Sequence, residues 1–167
     1  VSLPPSKEDI FFKETNLKKE INQSYFDINN FQRINSYIRQ IKPDIIFHLA
    51  AQSLVSEGYA RPLETFSTNI MGSANILEAT RKNKIKSLIY VTSDKCYLNL
   101  GHKKSFKEQD ALGGEDNYSA SKASAELLFH SYYNSYFKSS GNLQIASVRA
   151  GNVIGGGDFK RNRIIPD

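Results

Sequence analysis

The sequence predicts an α/β fold in which a doubly wound parallel sheet carries helices on both faces. Three apolar runs, residues 44–50, 87–92 and 143–151, are rich in β-branched residues and lack polar alternation, which is typical of strands covered on both faces. Two long segments with helical periodicity separate these runs. Strand, helix, strand, helix, strand is the order of right-handed βαβ units, and ligands of such sheets bind beyond the carboxyl ends of the strands.

The predicted elements follow one another as that fold requires. A short strand candidate, SYFDI at 24–28, precedes a helix predicted over 30–41. The first long helix, 62–82, opens with proline, carries apolar residues three and four positions apart, and ends in basic residues. The second long helix, 117–137, has the same spacing and is followed by the stop signal SSGN.

The composition excludes several classes of protein. With 167 residues, 40% hydrophobic and 23% charged, the chain is long and apolar enough for one domain with its own core. No apolar run approaches the roughly 20 residues that span a bilayer, and no signal peptide is present, which predicts a cytoplasmic protein without a membrane partner. The net charge of +5 is scattered along the sequence, so it predicts no nucleic-acid surface but suits an anionic small substrate.

The cysteine and the histidines predict neither a disulfide nor a metal site. Cys96 is the sole cysteine of the sequence, and His48, His102 and His130 are far apart. Cys96 follows a lysine, which is the setting of some low-pKa thiols, but packing is the favoured interpretation. His48 lies in a continuous apolar run, which predicts a packed core histidine.

Polar residues follow the second apolar run at its carboxyl end. In VTSDKCY, residues 91–97, the run stops at Thr92, and Ser93, Asp94 and Lys95 come next. Because ligands bind at this edge of a parallel sheet, a hydroxyl, a carboxyl and an amine side by side indicate a reactive site. An exposed ion pair between Asp94 and Lys95 is the alternative interpretation.

Tyr118 and Lys122 lie four residues apart at the start of the second long helix, and therefore on one face of it. A phenol ionises near pH ~10, and a neighbouring ammonium favours the phenolate. Such a tyrosine exchanges a proton with a substrate hydroxyl while hydride leaves the same carbon. The spacing alone is also that of an ordinary amphipathic helix, but the hydroxyl of Ser93 one strand earlier favours catalysis.

Longer motifs carry a family resemblance. The segments HLAAQSLV, TFSTNIMGSANILEA, VTSDKCY, YSASKASAE and VRAGNVIGGGDF, together with RIIPD, resemble the extended short-chain dehydrogenase/reductase superfamily over almost the whole chain. Within it they are similar to the sugar-nucleotide 4,6-dehydratases. The motifs TSDKCY and AGNVIGGGD are more specific than the Tyr118–Lys122 spacing. Lys95 stands where related dehydratases have the second residue of an acid pair, which points to the branch that acts on CDP-glucose.

The resemblance implies a Rossmann-type fold, NAD as cofactor, and conversion of CDP-glucose to CDP-4-keto-6-deoxyglucose. Tyr118 takes the proton of the C4 hydroxyl, assisted by Ser93 and Lys122, as hydride moves to NAD. Water is then eliminated across C5 and C6, with Asp94 as the acid and Lys95 at the position of the C5 base, and hydride returns to C6. Because an ammonium is no base, Lys95 requires burial or neighbouring positive charge.

The same resemblance predicts the binding residues. Those predicted to contact NAD, from the adenine to the nicotinamide ribose, are Asp27, Ile28, Ala50, Ala51, Gln52, Tyr118 and Lys122. Those predicted to contact the nucleotide-sugar substrate are Asn152, Arg161 and Arg163, the arginines through its diphosphate. Three alternatives stay open. Asp27 is equally a candidate cap for the helix near Asn30, the two arginines are equally residues that face water, and Gly155–Gly157 is either a turn or a close approach of backbone to substrate.

The chain is predicted to be one partial NAD(P)-binding domain, residues 1–167, of a longer enzyme. A dinucleotide-binding fold opens with a strand and a G-x-G-x-x-G loop, which is absent, and Gly155–Gly157 comes late and is followed by Asp158. The N-terminal βα unit and the C-terminal substrate region are therefore expected to be missing, and with the glycine loop the main anion site for the pyrophosphate. The resemblance also implies a homodimer in the intact enzyme, through the helices that begin near Leu63 and Tyr118.

Two other functions fit part of this pattern. An NAD-dependent sugar-nucleotide epimerase shares Tyr118 and Lys122 but has no use for Asp94 and Lys95. A truncated, non-catalytic sugar-nucleotide-binding module retains ligand binding, and loss of the Tyr118 hydroxyl leaves any turnover unchanged.

Overall fold

The computed structural model of the chain describes residues 1–5, 12, 14–15, 17–101, 105–141 and 143–158. The chain falls into two units, one made of Val1–Asp27 and Asn152–Asp167 and one made of Ile28–Gly151. This division does not decide whether the chain is one partial domain, which stays a prediction.

In the first unit, the strand predicted over 24–28 is reduced to a single parallel bridge between Ser2 and Tyr25. Ser2 N donates a hydrogen bond to Ser24 O at 3.2 Å. The strand prediction is wrong for the described residues, because a ladder needs a partner strand and only Ser2 pairs here. A short helix, α1 (Leu17–Glu20), is the other regular element of this unit that the structure bounds.

The second unit alternates helices and strands in the predicted order. Its elements are α2 (Phe31–Ile41), β1 (Ile45–His48), α3 (Val55–Ala60), α4 (Pro62–Phe66), a π-helical segment (Ser67–Gly72), α5 (Ser73–Lys82), β2 (Ser87–Ser93), a 3₁₀ turn (Asp94–Cys96), α6 (Asn117–Tyr132), a second π-helical segment (Tyr133–Phe137) and β3 (Gln144–Ala150). The helices predicted over 62–82 and 117–137 are both present. Each contains a π-helical segment that the apolar spacing does not predict.

The three strands form one parallel sheet in the order β1-β2-β3. His48 at the end of β1 is in register with Tyr90. β2 continues for three more residues, 91–93, which pair with β3. Ser93 at the end of β2 is in register with Ala150. The carboxyl ends of all three strands therefore lie at one edge of the sheet, where ligands of parallel sheets bind.

A polar cap and a proline explain where two of the helices begin. The Asn30 side chain accepts a hydrogen bond from Arg33 N at 3.0 Å, so Asn30 caps α2. The alternative that Asp27 provides this cap is therefore wrong. Pro62 occupies the first turn of α4, as predicted, because its missing N–H is one that the helix start leaves unpaired in any case.

The core of the second unit lies between the sheet and the helices on one of its faces. Leu88 and Tyr90 of β2 and Leu77 of α5 are fully buried. The Tyr90 hydroxyl donates to the carbonyl of Ala125 in α6 at 3.2 Å. The alternating side chains of the strands point to the opposite face, where Phe47 is 63% exposed.

Within the part of the chain that the structure describes, no helix covers this second face, although the uniformly apolar strands predict helices on both. The reason lies in the topology. The chain passes from β1 to β2 to β3 in one direction along the sheet, and right-handed crossovers that advance in one direction put every connecting helix on the same face.

Candidate active site

The turn that follows β2 is closed by the Ser93 hydroxyl. Ser93 Oγ accepts a hydrogen bond from Lys95 N at 3.3 Å and donates to Asp94 Oδ1 at 3.1 Å. Ser93 is buried, with 9% of its surface exposed, whereas Asp94 and Lys95 are both exposed. The described residues show no ion pair between Asp94 and Lys95. The turn therefore presents a carboxyl and an amine to solvent beside a buried serine.

The start of α6 is built by Asp116, which caps the helix. Its Oδ1 accepts from Ser119 N at 2.9 Å, and its Oδ2 accepts from Ser119 Oγ at 2.6 Å. Burial opposes ionisation of Asp116, but these bonds, the N–H of Tyr118 and the positive charge of Lys95 lower its pKa below the ordinary value. Lys95 therefore lies near enough to the first turn of α6 for its charge to act there.

Tyr118 and Lys122 lie on one buried face at the start of α6. Each is 7% exposed, and Lys122 Nζ is 5.9 Å from the centre of the Tyr118 ring. Burial lowers the pKa of Lys122 from 10.5 to about 8. Among the described residues the side chain of Lys122 makes no hydrogen bond and no ion pair. The spacing predicts that the two residues share one face of the helix, and the structure adds that this face is buried.

The structure brings the two predicted catalytic segments into contact. The 3₁₀ turn (Asp94–Cys96), which follows Ser93, packs against α6, the helix that carries Tyr118 and Lys122. The sequence predicts this meeting because both segments lie at the carboxyl edge of the sheet. Their catalytic role stays a prediction.

Glycine allows α3 to approach the start of α6. A Cβ atom built on Gly58 lies 3.1 Å from Tyr118 N, and Asn117 Nδ2 donates to Gly58 O at 3.1 Å. The backbone of Tyr118 is therefore fixed from the α3 side as well as by the Asp116 cap.

Gly114 approaches the same helix start more closely still, and we expect Gly114→Ala to destabilise the full-length protein by about 1–3 kcal/mol. A Cβ atom there lies 2.4 Å from Ala120 N and 2.5 Å from Ser119 C, so the loop or the first turn of α6 must move. Urea unfolding measures the change. Gly155→Ala is the matched control, because a Cβ atom at Gly155 meets nothing within 4 Å. Equal effects of the two substitutions would contradict the steric account.

The carboxyl end of β1 leads into Ala50, Ala51 and Gln52, and the polar groups of Gln52 are used within the protein. Gln52 Nε2 donates to Thr65 Oγ1 at 2.8 Å and to Leu54 O at 3.0 Å, and Gln52 Oε1 accepts from Leu54 N at 2.5 Å. Gln52 N donates to Asn69 Oδ1 at 2.8 Å, and Asn69 Nδ2 donates to Gln52 O at 3.0 Å. Gln52 therefore fixes the loop after β1.

Asn69, which the sequence does not single out, joins this loop to α6. Its Nδ2 donates to Ser121 Oγ at 2.9 Å, and Ser121 Oγ donates to Tyr118 O at 2.6 Å. Asn69 lies in the first π-helical segment, a helix distortion that is often found at functional sites. The signal in the sequence is an asparagine among the apolar residues of the helix predicted over 62–82.

Glu126 is a second residue that the sequence does not single out. It is fully buried on α6, four residues after Lys122, and its carboxylate forms an ion pair with Arg149 of β3 at 2.8 Å. An acid within the apolar face of a helix and an arginine within the apolar run 143–151 are the signals that identify this pair.

The remaining single residues agree with the favoured interpretations. Cys96 is fully buried, and burial raises its pKa to about 11, in agreement with a packed thiol. His48 is buried and shares a hydrogen bond of 2.9 Å with Ser73 Oγ, and burial followed by the charge of Lys122 lowers its pKa to about 4. It is a core histidine. No described residues form a cluster of three or more His, Cys, Asp or Glu side chains that could hold a metal ion.

The other predicted binding residues differ in their exposure, and two of them lie outside the described residues. Ile28 is buried, and a Cβ atom on Gly72 would meet its side chain at 2.5 Å, so Ile28 packs against the first π-helical segment. Asp27 and Asn152 belong to the first unit and are exposed. Arg161 and Arg163 lie outside the described residues. In the described part of the chain, none of the helices is long and apolar enough to cross a membrane.

The buried charge of Lys122 predicts a pH dependence of stability. Between about pH 8 and pH 10.5, its folded and ordinary unfolded pKa values, the unfolded chain binds more protons, so the free energy of unfolding rises with pH. Lys122 is expected to contribute about 3 kcal/mol to this rise in the cofactor-free, full-length protein. Above about pH 9 the raised pKa of the buried Cys96 acts in the opposite direction, so the contribution of Lys122 is the difference between the wild type and Lys122→Met. Urea unfolding at pH 7.5, 9 and 10.5 measures it.

Lys122→Met is expected to remove this rise, and Lys138→Met, which replaces an exposed lysine, is expected to keep it. A rise that persists unchanged in Lys122→Met would show that another group causes it.

The chain is similar in sequence to sugar-nucleotide dehydratases. The sequence profile of the family described as GDP-mannose 4,6 dehydratase matches residues 7–151. A CDP-glucose 4,6-dehydratase of Salmonella typhimurium is 45% identical over 146 residues, which cover 84% of this chain and 41% of that relative. A dTDP-D-glucose 4,6-dehydratase of Dictyostelium discoideum is 31% identical over 160 residues, 89% of this chain and 36% of that relative. The chain thus spans less than half the length of these relatives.

Solved structures agree on the fold. A dTDP-glucose 4,6-dehydratase from Streptomyces venezuelae, solved with NAD bound, matches with a TM-score of 0.78 at 23% identity, over 92% of this chain and 45% of that one. The UDP-glucose 4-epimerase of Thermus thermophilus, in complex with NAD, matches with a TM-score of 0.69 at 25% identity, over 83% of this chain and 44% of that one. These similarities confirm the predicted fold class and the family resemblance.

Proposed function

Because the chain belongs to the GDP-mannose 4,6 dehydratase family, we propose that it carries the catalytic centre of an NAD-dependent lyase that converts CDP-glucose to CDP-4-keto-6-deoxyglucose. The observation that carries the proposal is the contact between the Asp94–Cys96 turn after Ser93 and the helix of Tyr118 and Lys122. The 45% identity to a CDP-glucose 4,6-dehydratase supports the choice of nucleotide.

The residues at this edge fit a nicotinamide cofactor. Lys122 offers buried N–H donors without a described hydrogen-bond partner, which suits the hydroxyls of the nicotinamide ribose. Ala50 and Ala51 are small and half-buried, so a ligand can approach the backbone after β1. Gln52 supports this loop through Asn69. When bound, NAD accepts hydride from C4 of the sugar and returns it to C6.

The first step requires a base at the C4 hydroxyl. Tyr118 removes this proton, and the ammonium of Lys122 stabilises the phenolate that does so. Ser93 donates a hydrogen bond to the same sugar oxygen once its hydroxyl turns away from Asp94, 3.1 Å distant in this structure. Burial of all three residues keeps bulk water from competing for the proton.

The elimination requires an acid and a base on the exposed side of the turn. Asp94 protonates the C6 hydroxyl as it leaves, and Lys95 takes the proton from C5, which the neighbouring 4-keto group acidifies. Lys95 is exposed here and acts as a base only in its neutral form. The sugar must therefore cover it, because loss of water around an amine disfavours its charge.

The proposal includes further binding roles that stay predictions. Asp27 and Ile28 lie near the adenine, and Asn152 contacts the sugar nucleotide. Arg161 and Arg163 contact its diphosphate. A guanidinium fork suits phosphate oxygens.

The test is incubation of the full-length protein with CDP-glucose, followed by alkali and measurement of the ultraviolet absorption of a 4-keto sugar. The same assay with dTDP-glucose and GDP-mannose checks the choice of nucleotide. Formation of an epimer alone would replace the proposal by an NAD-dependent sugar-nucleotide epimerase, for which Asp94 and Lys95 have no use. Binding without turnover would indicate a sugar-nucleotide-binding module.

The proposal includes a homodimer. Leu63 of α4 is 82% exposed and Leu127 of α6 is 60% exposed, and Met71 between α4 and α5 is exposed as well. Large apolar side chains on neighbouring helices are typical of an interface. Light scattering of the full-length protein is expected to give a dimer, and the double substitution Leu63→Glu, Leu127→Glu a monomer. A dimer that persists in the double variant would exclude this surface.

A further inference from the structure

The carboxylate of Glu126 holds three elements together at the base of the site. Glu126 is fully buried on α6. It follows Lys122 by four residues and Tyr118 by eight, so the three side chains lie along one face of the helix. Its position on α6 is therefore tied to theirs.

Each oxygen of the carboxylate contacts a different strand. Thr92 Oγ1 donates to Glu126 Oε1 at 2.5 Å. Arg149 Nη2 donates to Oε2 at 2.8 Å, and Ser147 Oγ donates to Oε2 at 3.3 Å. The exposed His130 lies 3.7 Å from the same oxygen. The carboxylate thus joins α6 to the carboxyl end of β2 and to β3.

The strand residues that bind Glu126 stand next to the catalytic turn. Thr92 immediately precedes Ser93 and is in register with Arg149. Arg149 continues the connection, because its Nη1 donates to Tyr97 OH and to Glu108 O, both at 3.0 Å. The residues on both sides of the Asp94–Cys96 turn are therefore fixed to one buried ion pair.

A buried ion pair of this kind needs a reason other than stability. Apolar side chains of similar volume often stabilise a protein equally well, whereas directional bonds to a carboxylate fix distances. We propose that Glu126 is a positioning residue that, through Thr92, sets the position of Ser93 relative to Tyr118. This inference rests on the proposed function for its effect on turnover, but not for its effect on the turn itself.

The test is Thr92→Val in the full-length protein, which removes the hydroxyl that binds Glu126 and keeps the shape of the side chain. We expect kcat for CDP-glucose to fall about tenfold or more, because small misplacements of reacting groups have large effects on rate. The KM and the bound NAD are expected to stay unchanged, and Thr92→Ser to restore kcat.

Tyr90→Phe is the matched control. It also removes a hydroxyl that β2 uses to bind α6, through Ala125 O, but two residues further from Ser93. Its kcat is expected to equal that of the wild type. An equal loss in Tyr90→Phe, or an unchanged kcat in Thr92→Val well below its unfolding temperature, would reduce Glu126 to a merely structural role and overturn the inference.

Hydrogen exchange separates this inference from the proposed function. In Thr92→Val, peptides that contain the Asp94–Cys96 turn are expected to exchange faster than in the wild type, while peptides of α5 exchange at the same rate. If the wild type does not act on CDP-glucose but the turn loosens, the proposed function fails and the positioning role stands. If the turn exchanges at the wild-type rate, the positioning role fails.

Discussion

Replacing Tyr118 with phenylalanine is expected to lower turnover of CDP-glucose by the full-length protein by at least about 100-fold. The substitution removes only the hydroxyl that exchanges the C4 proton. The residue, which is 7% exposed, keeps its backbone and Cβ against Gly58, and Lys122 keeps its ring neighbour 5.9 Å away. Steady-state kinetics measures the loss. To show that the variant still binds NAD, the purified protein is denatured and the absorbance of the NAD released into the supernatant is measured.

Tyr133→Phe is the control for this experiment. Tyr133 is exposed in the second π-helical segment, stacked against Phe129, and its hydroxyl makes no described hydrogen bond. Its turnover is expected to equal that of the wild type. Retention of full activity by Tyr118→Phe would contradict the proposed chemistry and favour a non-catalytic role for this face of α6.

Replacing Arg149 with methionine is expected to lower the free energy of unfolding of the full-length protein by about 3–5 kcal/mol. The substitution leaves the Glu126 carboxylate fully buried without the guanidinium 2.8 Å away. It also removes the two bonds from Arg149 to Tyr97 OH and Glu108 O. Urea unfolding followed by circular dichroism measures the change.

Two variants show whether the buried charge causes this loss. Arg61→Met removes an exposed arginine that pairs with Glu57 and Glu64, and we expect a change below about 1 kcal/mol. The double variant Arg149→Met, Glu126→Leu removes both charges and is expected to recover much of the loss. If the double variant is less stable than Arg149→Met alone, lost packing rather than the unpaired charge explains the effect.

The sequence predicts most of the fold because its signals are local. Apolar runs predict the ends of the three strands within two residues, and Pro62 and the helical spacing predict the long helices. The exposed face of the sheet is not predicted, because an apolar run does not reveal on which side each crossover lies. The prediction of a strand at 24–28 is wrong, because pairing there depends on Ser2, more than twenty residues away, and is limited to one bridge.

The candidate site is predicted from the sequence only in part, for the same reason. Short motifs single out Ser93, Tyr118 and Lys122, and the topology brings their segments together as predicted, while their catalytic role stays a prediction. Asn69 and Glu126 are missed because their partners are remote in sequence. Asn69 binds Ser121, 52 residues away, and Glu126 binds Thr92, 34 residues away. No spacing rule connects such residues before the fold is known.

The π-helical segment Ser67–Gly72 limits how the length of this chain can change at that point. Consecutive residues of an α-helix are about 100° apart around its axis. Deleting one residue here would join α4 and α5 into a regular helix but rotate α4 by about that angle. Thr65 and Asn69 would then turn away from Gln52. A one-residue gap in this stretch would therefore detach the loop after β1 from the helix that holds it.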